Sequence, residues 1–172
     1  MRITPTVEKY ILHWGEMGTR WGVNRTVAQI HALLYLSPEP LRADEITELL
    51  GVARSNVSTS LKELQAWNLV RVVHRLGDRR DHFEAEQDTW VLLMRIVDER
   101  KRREIDPTLT LLRQCVLELE EDEATAPAVA RRIEAMLSFV STLNDWYEQV
   151  RSLPATTLVR LMKLGARVAR YV

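Results

Sequence analysis

Apolar residues recur at helical spacing over most of the chain, and the places where that spacing breaks define its elements. Val27, Ile30, Leu33 and Leu34 mark one side of a helix over residues 24–36, with Val23 at its edge, and the Ser-Pro-Glu-Pro of residues 37–40 ends it. A preceding helix is predicted from Thr6 to Met17, with the region of Gly15, Gly18 and Gly22 as a break after it. Ile46, Leu49 and Leu50 share one side of a short helix from Arg42 to Leu50, whose acids Asp44, Glu45 and Glu48 sit near its positive end and which stops at Gly51. The next helix, within GVARSNVSTSLKELQAWNLV, places Val57, Leu61 and Leu64 in a narrow sector. Its opposite side holds Ser55, Thr59, Lys62 and Ala66, flanked by Asn56 and Ser58.

After Asn68 the period changes. LVRVVHRL is rich in β-branched residues, GDRRD interrupts it, and HFEAE resumes an extended pattern, which predicts a short hairpin with a charged tip. Helical spacing returns from Asp88 through Trp90 to Lys101 and Arg103. Asp106 and Pro107 open another helix, and two more are expected over about 126–151 and 155–171. The expected fold is therefore mainly α. A winged helix-turn-helix over residues 23–87 lies between an N-terminal helix (1–22), part of a dimer region, and a helical linker with a dimerisation and effector region (88–172).

The polar face at residues 55–62 is unusual for a helix. Serine, threonine and asparagine compete for backbone hydrogen bonds and are middling helix formers, so helix stability does not account for so many of them together. A helix entering a major groove about 12 Å wide needs short groups that both donate and accept hydrogen bonds. Arg54, Ser55, Asn56, Ser58, Thr59 and Lys62 supply that chemistry, and Arg75, Arg79 and Arg80 are the candidate DNA contacts of the hairpin. A plain solvated helix face and a salt-bridged turn are the alternatives.

Net charge is zero, so any affinity for a polyanion has to be local. Residues 54–80 carry Arg54, Lys62, Arg71, Arg75, Arg79 and Arg80 against Glu63 and Asp78, a net of +4, while residues 39–48 are acidic. In the hairpin, one of Arg79 and Arg80 is free to reach a minor groove or flanking phosphate while Asp78 or Asp81 holds the other.

The ordered segments GTRWGVNRTVAQIHALLYLSPEPL, LLGVARSNVSTSLKELQAWNLVRVV and GDRRDHFEAEQDTW resemble the winged-helix region of the GbsR-like branch of the MarR-type transcriptional regulators, over roughly residues 10–105. The resemblance implies a homodimer joined by its terminal helices, with the helix at 54–66 in the major groove and the GDRRD wing beside it. One departure is Ala53, where such proteins commonly place a serine or threonine cap.

Dimerisation is also expected from the last helix, where Leu158, Leu161, Met162, Gly165, Val168, Ala169 and Val172 form one stripe and Arg160, Lys163, Arg167 and Arg170 another. A basic amphipathic helix on an anionic membrane is the alternative there. Function is expected to be that of a sequence-specific, DNA-binding transcriptional regulator, a repressor acting as a homodimer on a palindromic operator. The alternative is a winged-helix module for protein or membrane-surface interaction without DNA binding.

Trp14, Trp21, Trp90 and Trp146, with Tyr147, are candidate walls of an aromatic cage for a small-molecule effector, since the branch resembled includes regulators responding to choline-like osmoprotectants; aromatic core packing is the alternative. His74 and His82, with Asp78 and Glu84 near, invite a metal site but lack recognised ligand spacing. Cys115, the single cysteine, falls among Leu111, Leu112 and Leu119 as a small apolar residue. The acids Glu118 and Glu120 to Glu123 read as a solvated loop, and no hydrolase, zinc-protease or phosphate-loop motif is present. No cofactor, catalytic residue or metal is expected. The absence of a signal-like or membrane-length apolar run leads to the expectation of a cytoplasmic protein.

Overall fold

A computed structural model describes residues 1–165 and 167, which divide into two compact units, Met1–Ile96 and Val97–Val172. The first unit contains α1 (Pro5–Arg20), α2 (Arg25–Leu36), β1 (Leu41–Arg42), α3 (Ala43–Leu50), α4 (Arg54–Ala66), β2 (Val70–Arg75) and β3 (Asp78–Ala85). Helix α5 (Thr89–Arg100) begins there and runs through a π-helical turn at Lys101–Ile105 into the second unit. That unit holds α6 (Asp106–Leu119), α7 (Pro127–Arg151) and α8 (Ala155–Leu164).

Helix α2 is the axis of the first unit. Its Ile30, Leu33 and Leu34 are fully buried with Val27, and they share one core with Ile46 of α3, Val57, Leu61 and Leu64 of α4, and Phe83 and Ala85 of β3. Asn24 starts α2 by accepting the Thr26 amide at 2.8 Å, and the Ser37 turn ends it as the two prolines require.

Helix α1 corrects one expectation. Gly15 and Gly18 do not break it; they are buried inside it, and the chain turns only at Trp21 and Gly22. A Cβ on Gly18 would stand 2.5 Å from Ala28 Cβ, and one on Gly15 2.7 Å from Gln29 Cγ. The glycines let α1 lie close against α2, a tertiary demand that local propensity does not reveal.

The sheet is antiparallel in the order β1-β3-β2. Strand β1 was not anticipated, because its two residues carry no periodic signal; Leu41 pairs with Phe83 and Arg42 with His82. The hairpin forms as expected, but its tip differs. Arg75 pairs with Asp78, so Leu76 and Gly77 make the turn and Asp78, Arg79, Arg80 and Asp81 belong to β3. Gly77 takes φ +85°, and that left-handed position fixes where the chain reverses.

In the second unit, Lys101 meets Asp106 at 2.7 Å and Glu148 at 3.1 Å, tying the π-helical turn to α6 and α7. Tyr147 donates to Asp98 at 2.5 Å; burial first, then that carboxylate, raises its phenol above the ordinary range. Helices α5 to α7 fall close to the expected spans, with the π-helical turn replacing a plain helix end at Lys101–Arg103. Helix α8 is described only to Leu164; Leu158 is buried, Leu161, Met162, Arg160 and Lys163 are exposed, and Val168, Ala169, Arg170 and Val172 lie outside the described residues.

His31 of α2 lies within the core at 4% exposure, and its Nε2 has no hydrogen-bond partner. Burial lowers its pKa to about 4 from 6.5. Above pH 6.5 both folded and unfolded states hold a neutral ring. As pH falls from there toward 4 the unfolded chain takes the proton first and stability is lost. Urea unfolding should therefore show a loss between pH 7 and pH 5 that is about 2 kcal/mol smaller in His31→Gln than in the parent.

Candidate nucleic-acid interface

The turn between α3 and α4 is set by Gly51 at φ +62°, a left-handed helix end. Arg42 donates its amide to Glu45 Oε2 at 2.8 Å, closing the first turn of α3 and holding the Glu45 carboxyl below its usual range. These contacts fix the frame on which α4 is presented. Val57, Leu61 and Leu64 turn into the core, and Arg54, Ser55, Asn56, Ser58, Thr59 and Lys62 turn to solvent. Ser60, part of the same hydroxyl-rich run, is buried, so that run is not wholly an exposed face; 100° per residue brings it toward Val57 and Leu64.

Five helical threonines elsewhere in the chain turn back on their own backbone. Thr19, Thr47, Thr108, Thr110 and Thr142 each donate to the carbonyl four residues earlier, at 2.6–3.1 Å. Ser55, Ser58 and Thr59 do not. Nor do Arg54, Asn56 or Lys62 have a side-chain hydrogen bond or ion pair among the described residues. Six adjacent groups thus keep their hydrogen-bonding capacity unspent on one side of one helix.

The wing sorts its arginines. Asp78 accepts from Arg80 Nε at 2.8 Å, from Arg80 Nη2 at 2.7 Å and from the Arg80 amide at 3.0 Å. Those bonds pull the Asp78 carboxyl far below its ordinary range and raise the Arg80 guanidinium. Arg79 is exposed and makes no ion pair among the described residues. Of the two arginines weighed in the sequence, Arg80 is the held one and Arg79 the free one.

Two further cations are partly neutralised by acids from outside their own stretch. Arg75 meets Glu39 at 2.6 Å and Arg71 meets Glu84 at 2.5 Å. The unpaired positive charge of this surface rests on Arg54, Lys62 and Arg79. A count along the sequence missed this, because Glu39 and Glu84 reach the strand only through the fold.

Several tempting residues are placed elsewhere. His82 is buried opposite Val73 and binds the Arg80 carbonyl, while His74 is exposed beside Asp81, so the two histidines do not meet across the hairpin. No cluster of three or more His, Cys, Asp or Glu able to hold a metal occurs among the described residues. Trp14 is half-buried and stacks on Tyr10 at 5.7 Å between ring centroids; Trp21 ends α1, Trp90 starts α5 and Trp146 stands exposed on α7. Cys115 is a half-buried free thiol.

This geometry is that of a winged helix, and known proteins share it. The MarR family model matches residues 21–81, from the turn after α1 to the wing. A solved protein described as a transcriptional regulator superposes with a TM-score of 0.66 at 18% identity, over 84% of this chain and 95% of that one. Residues 21–81 thus resemble the MarR family, and the first unit shares its winged-helix fold with a solved transcriptional regulator.

Among named Bacillus subtilis (strain 168) proteins it is similar to the HTH-type transcriptional repressor GbsR, 26% identical over 59% of this chain and 56% of that protein. It is also similar to YvaV, described as an HTH-type transcriptional regulator, 21% identical over 77% of this chain and 76% of that one.

Two measurements probe the interface directly. Ala53 caps α4 in extended geometry, at φ −63° and ψ 141°, with no side-chain hydrogen bond. Ala53→Ser should raise unfolding stability by about 1 kcal/mol in denaturant titration. In DNA-binding titrations across salt concentrations, Arg79→Ala should weaken affinity and flatten the log–log salt slope by about one for each wing engaged.

Proposed function

We propose that this protein is a cytoplasmic repressor that binds a palindromic operator as a homodimer. Arg54, Ser55, Asn56, Ser58, Thr59 and Lys62 of each α4 contact one major groove, and Arg79, with Arg75 and Arg80 near the same strand ends, contacts the flanking backbone. The observation that carries this reading is the unspent hydrogen-bonding capacity of α4. Base edges and phosphates are partners of the kind those groups lack within the molecule. Two copies related by a two-fold axis would read half-sites one helical turn apart.

Homodimerisation is supported by α7, a helix whose apolar face is broader than its packing covers. Ile133, Leu137, Val140 and Tyr147 are half-buried, and α7 packs on α6. On the adjoining flank of the same face Val129, Met136, Phe139, Leu143 and Trp146 stand exposed, recurring three, four and seven residues apart. An apolar flank of that length needs a further cover. In an antiparallel self-pairing, Met136 meets Phe139 and Val129 meets Trp146 of the other copy, which commits this face to a symmetric, isologous contact. The region 88–172 would then be the dimerisation region, to which the helix at 1–22 would also contribute, and an effector of unidentified chemistry would act through this part of the chain.

Footprinting the DNA upstream of the protein's own gene should reveal a symmetric protected site. If about ten phosphates are contacted, the log–log salt slope should lie near −9. Phe139→Glu combined with Leu143→Glu, both at exposed positions, should convert a dimer to a monomer in sedimentation and abolish the two-half-site footprint. A parent that sediments as a monomer, or that leaves duplex DNA unprotected at low salt, would overturn the reading.

A further inference from the structure

Leu76 forms the wing tip with Gly77 and is 109% exposed, the most exposed large apolar side chain among the described residues. Folding gives no reason for a leucine there. Only Gly77 of the pair takes a positive φ, so position 76 accepts any ordinary polar residue, and Leu76 has no part in the core. Its surroundings are nonetheless organised. Arg75 is held by Glu39 at 2.6 Å and Arg80 by Asp78 at 2.7 Å, which leaves an apolar knob three residues from the unpaired cation of Arg79 in the same hairpin.

Apolar tip and free guanidinium together match the two surfaces a duplex offers at its narrow groove. The groove walls are deoxyribose rings, which are largely apolar, and their rims are phosphates. We propose that Leu76 is itself a DNA-contacting residue: it presses against the deoxyribose wall of the minor groove, or wedges at a base step there, while Arg79 takes the adjacent phosphate. This rests on the DNA-binding reading above and assigns the wing a contact that carries no charge.

The two contacts separate by their salt dependence. An apolar contact releases no counterions, whereas a phosphate contact does. The full-length protein is used to enrich duplexes from a random-sequence library, and the best duplex is titrated with the parent, Leu76→Ser, Leu76→Met and Arg79→Ala between about 50 and 200 mM salt. Leu76→Ser should bind about tenfold more weakly at every salt concentration with the parent's log–log slope, and Leu76→Met should stay within about twofold. Arg79→Ala should flatten the slope. Hydroxyl-radical cleavage, which attacks the sugars, should show protected deoxyriboses flanking the site with the parent and lose that protection with Leu76→Ser.

Because Leu76 is solvent-exposed, the serine variant should unfold at the parent's temperature, so weaker binding would not reflect misfolding. Leu76→Ser binding within twofold of the parent, or flattening the salt slope as Arg79→Ala does, would overturn the proposal. A parent that enriches no duplex would overturn the DNA-binding reading and this contact with it.

Discussion

The burial of Val57, Leu61 and Leu64 against α2 and α3 is the constraint from which the binding surface follows. An α-helix has one side per 100° step pattern, so committing those three residues to the core commits Arg54, Ser55, Asn56, Ser58, Thr59 and Lys62 to solvent. The frame behind them is closely packed and locally capped. Ile30, Leu33 and Ile46 are fully buried, Gly51 sets the turn, and Glu45 closes the first turn of α3. A polar helix face becomes useful as a probe only when its orientation is set by packing it does not itself supply.

Electrostatics then refine that surface rather than create it. With zero net charge, the molecule has no general attraction to a polyanion to rely on. Instead acids pair off Arg71, Arg75 and Arg80, and the remaining positive charge is left on Arg54, Lys62 and Arg79. These pairs are exposed and contribute little to stability. Their effect is on which guanidiniums are available and which are tied to a fixed direction.

The second unit is held by different means. Its α5-to-α7 junction uses Lys101 with Asp106 and Glu148, and Tyr147 with Asp98, where the first unit uses aliphatic core. Helix α7 then has exposed apolar residues left over, which the proposed homodimer would cover. The sequence reading sought the dimer contact in the last helix, because Leu158, Leu161 and Met162 form an obvious stripe. On α7 the apolar face spans about half the helix circumference, which weakens the amphipathic contrast that periodicity detects.

Sequence alone determined the helix-turn-helix and its wing, since each element there is bounded by local chemistry: two prolines, Asn24 as a cap, Gly51, and a switch from period 3.6 to β-branched runs. It also determined which side of α4 faces outward, a matter of counting 100° steps. Tertiary structure decided what depends on residues distant in the chain. Gly15 and Gly18 proved to be contact points with α2, β1 found its partner in β3, and Glu39 and Glu84 reached Arg75 and Arg71 to leave Arg79 as the wing's free arginine. Periodicity records how a segment divides between core and water; it holds no information on which side chain from another segment arrives beside it.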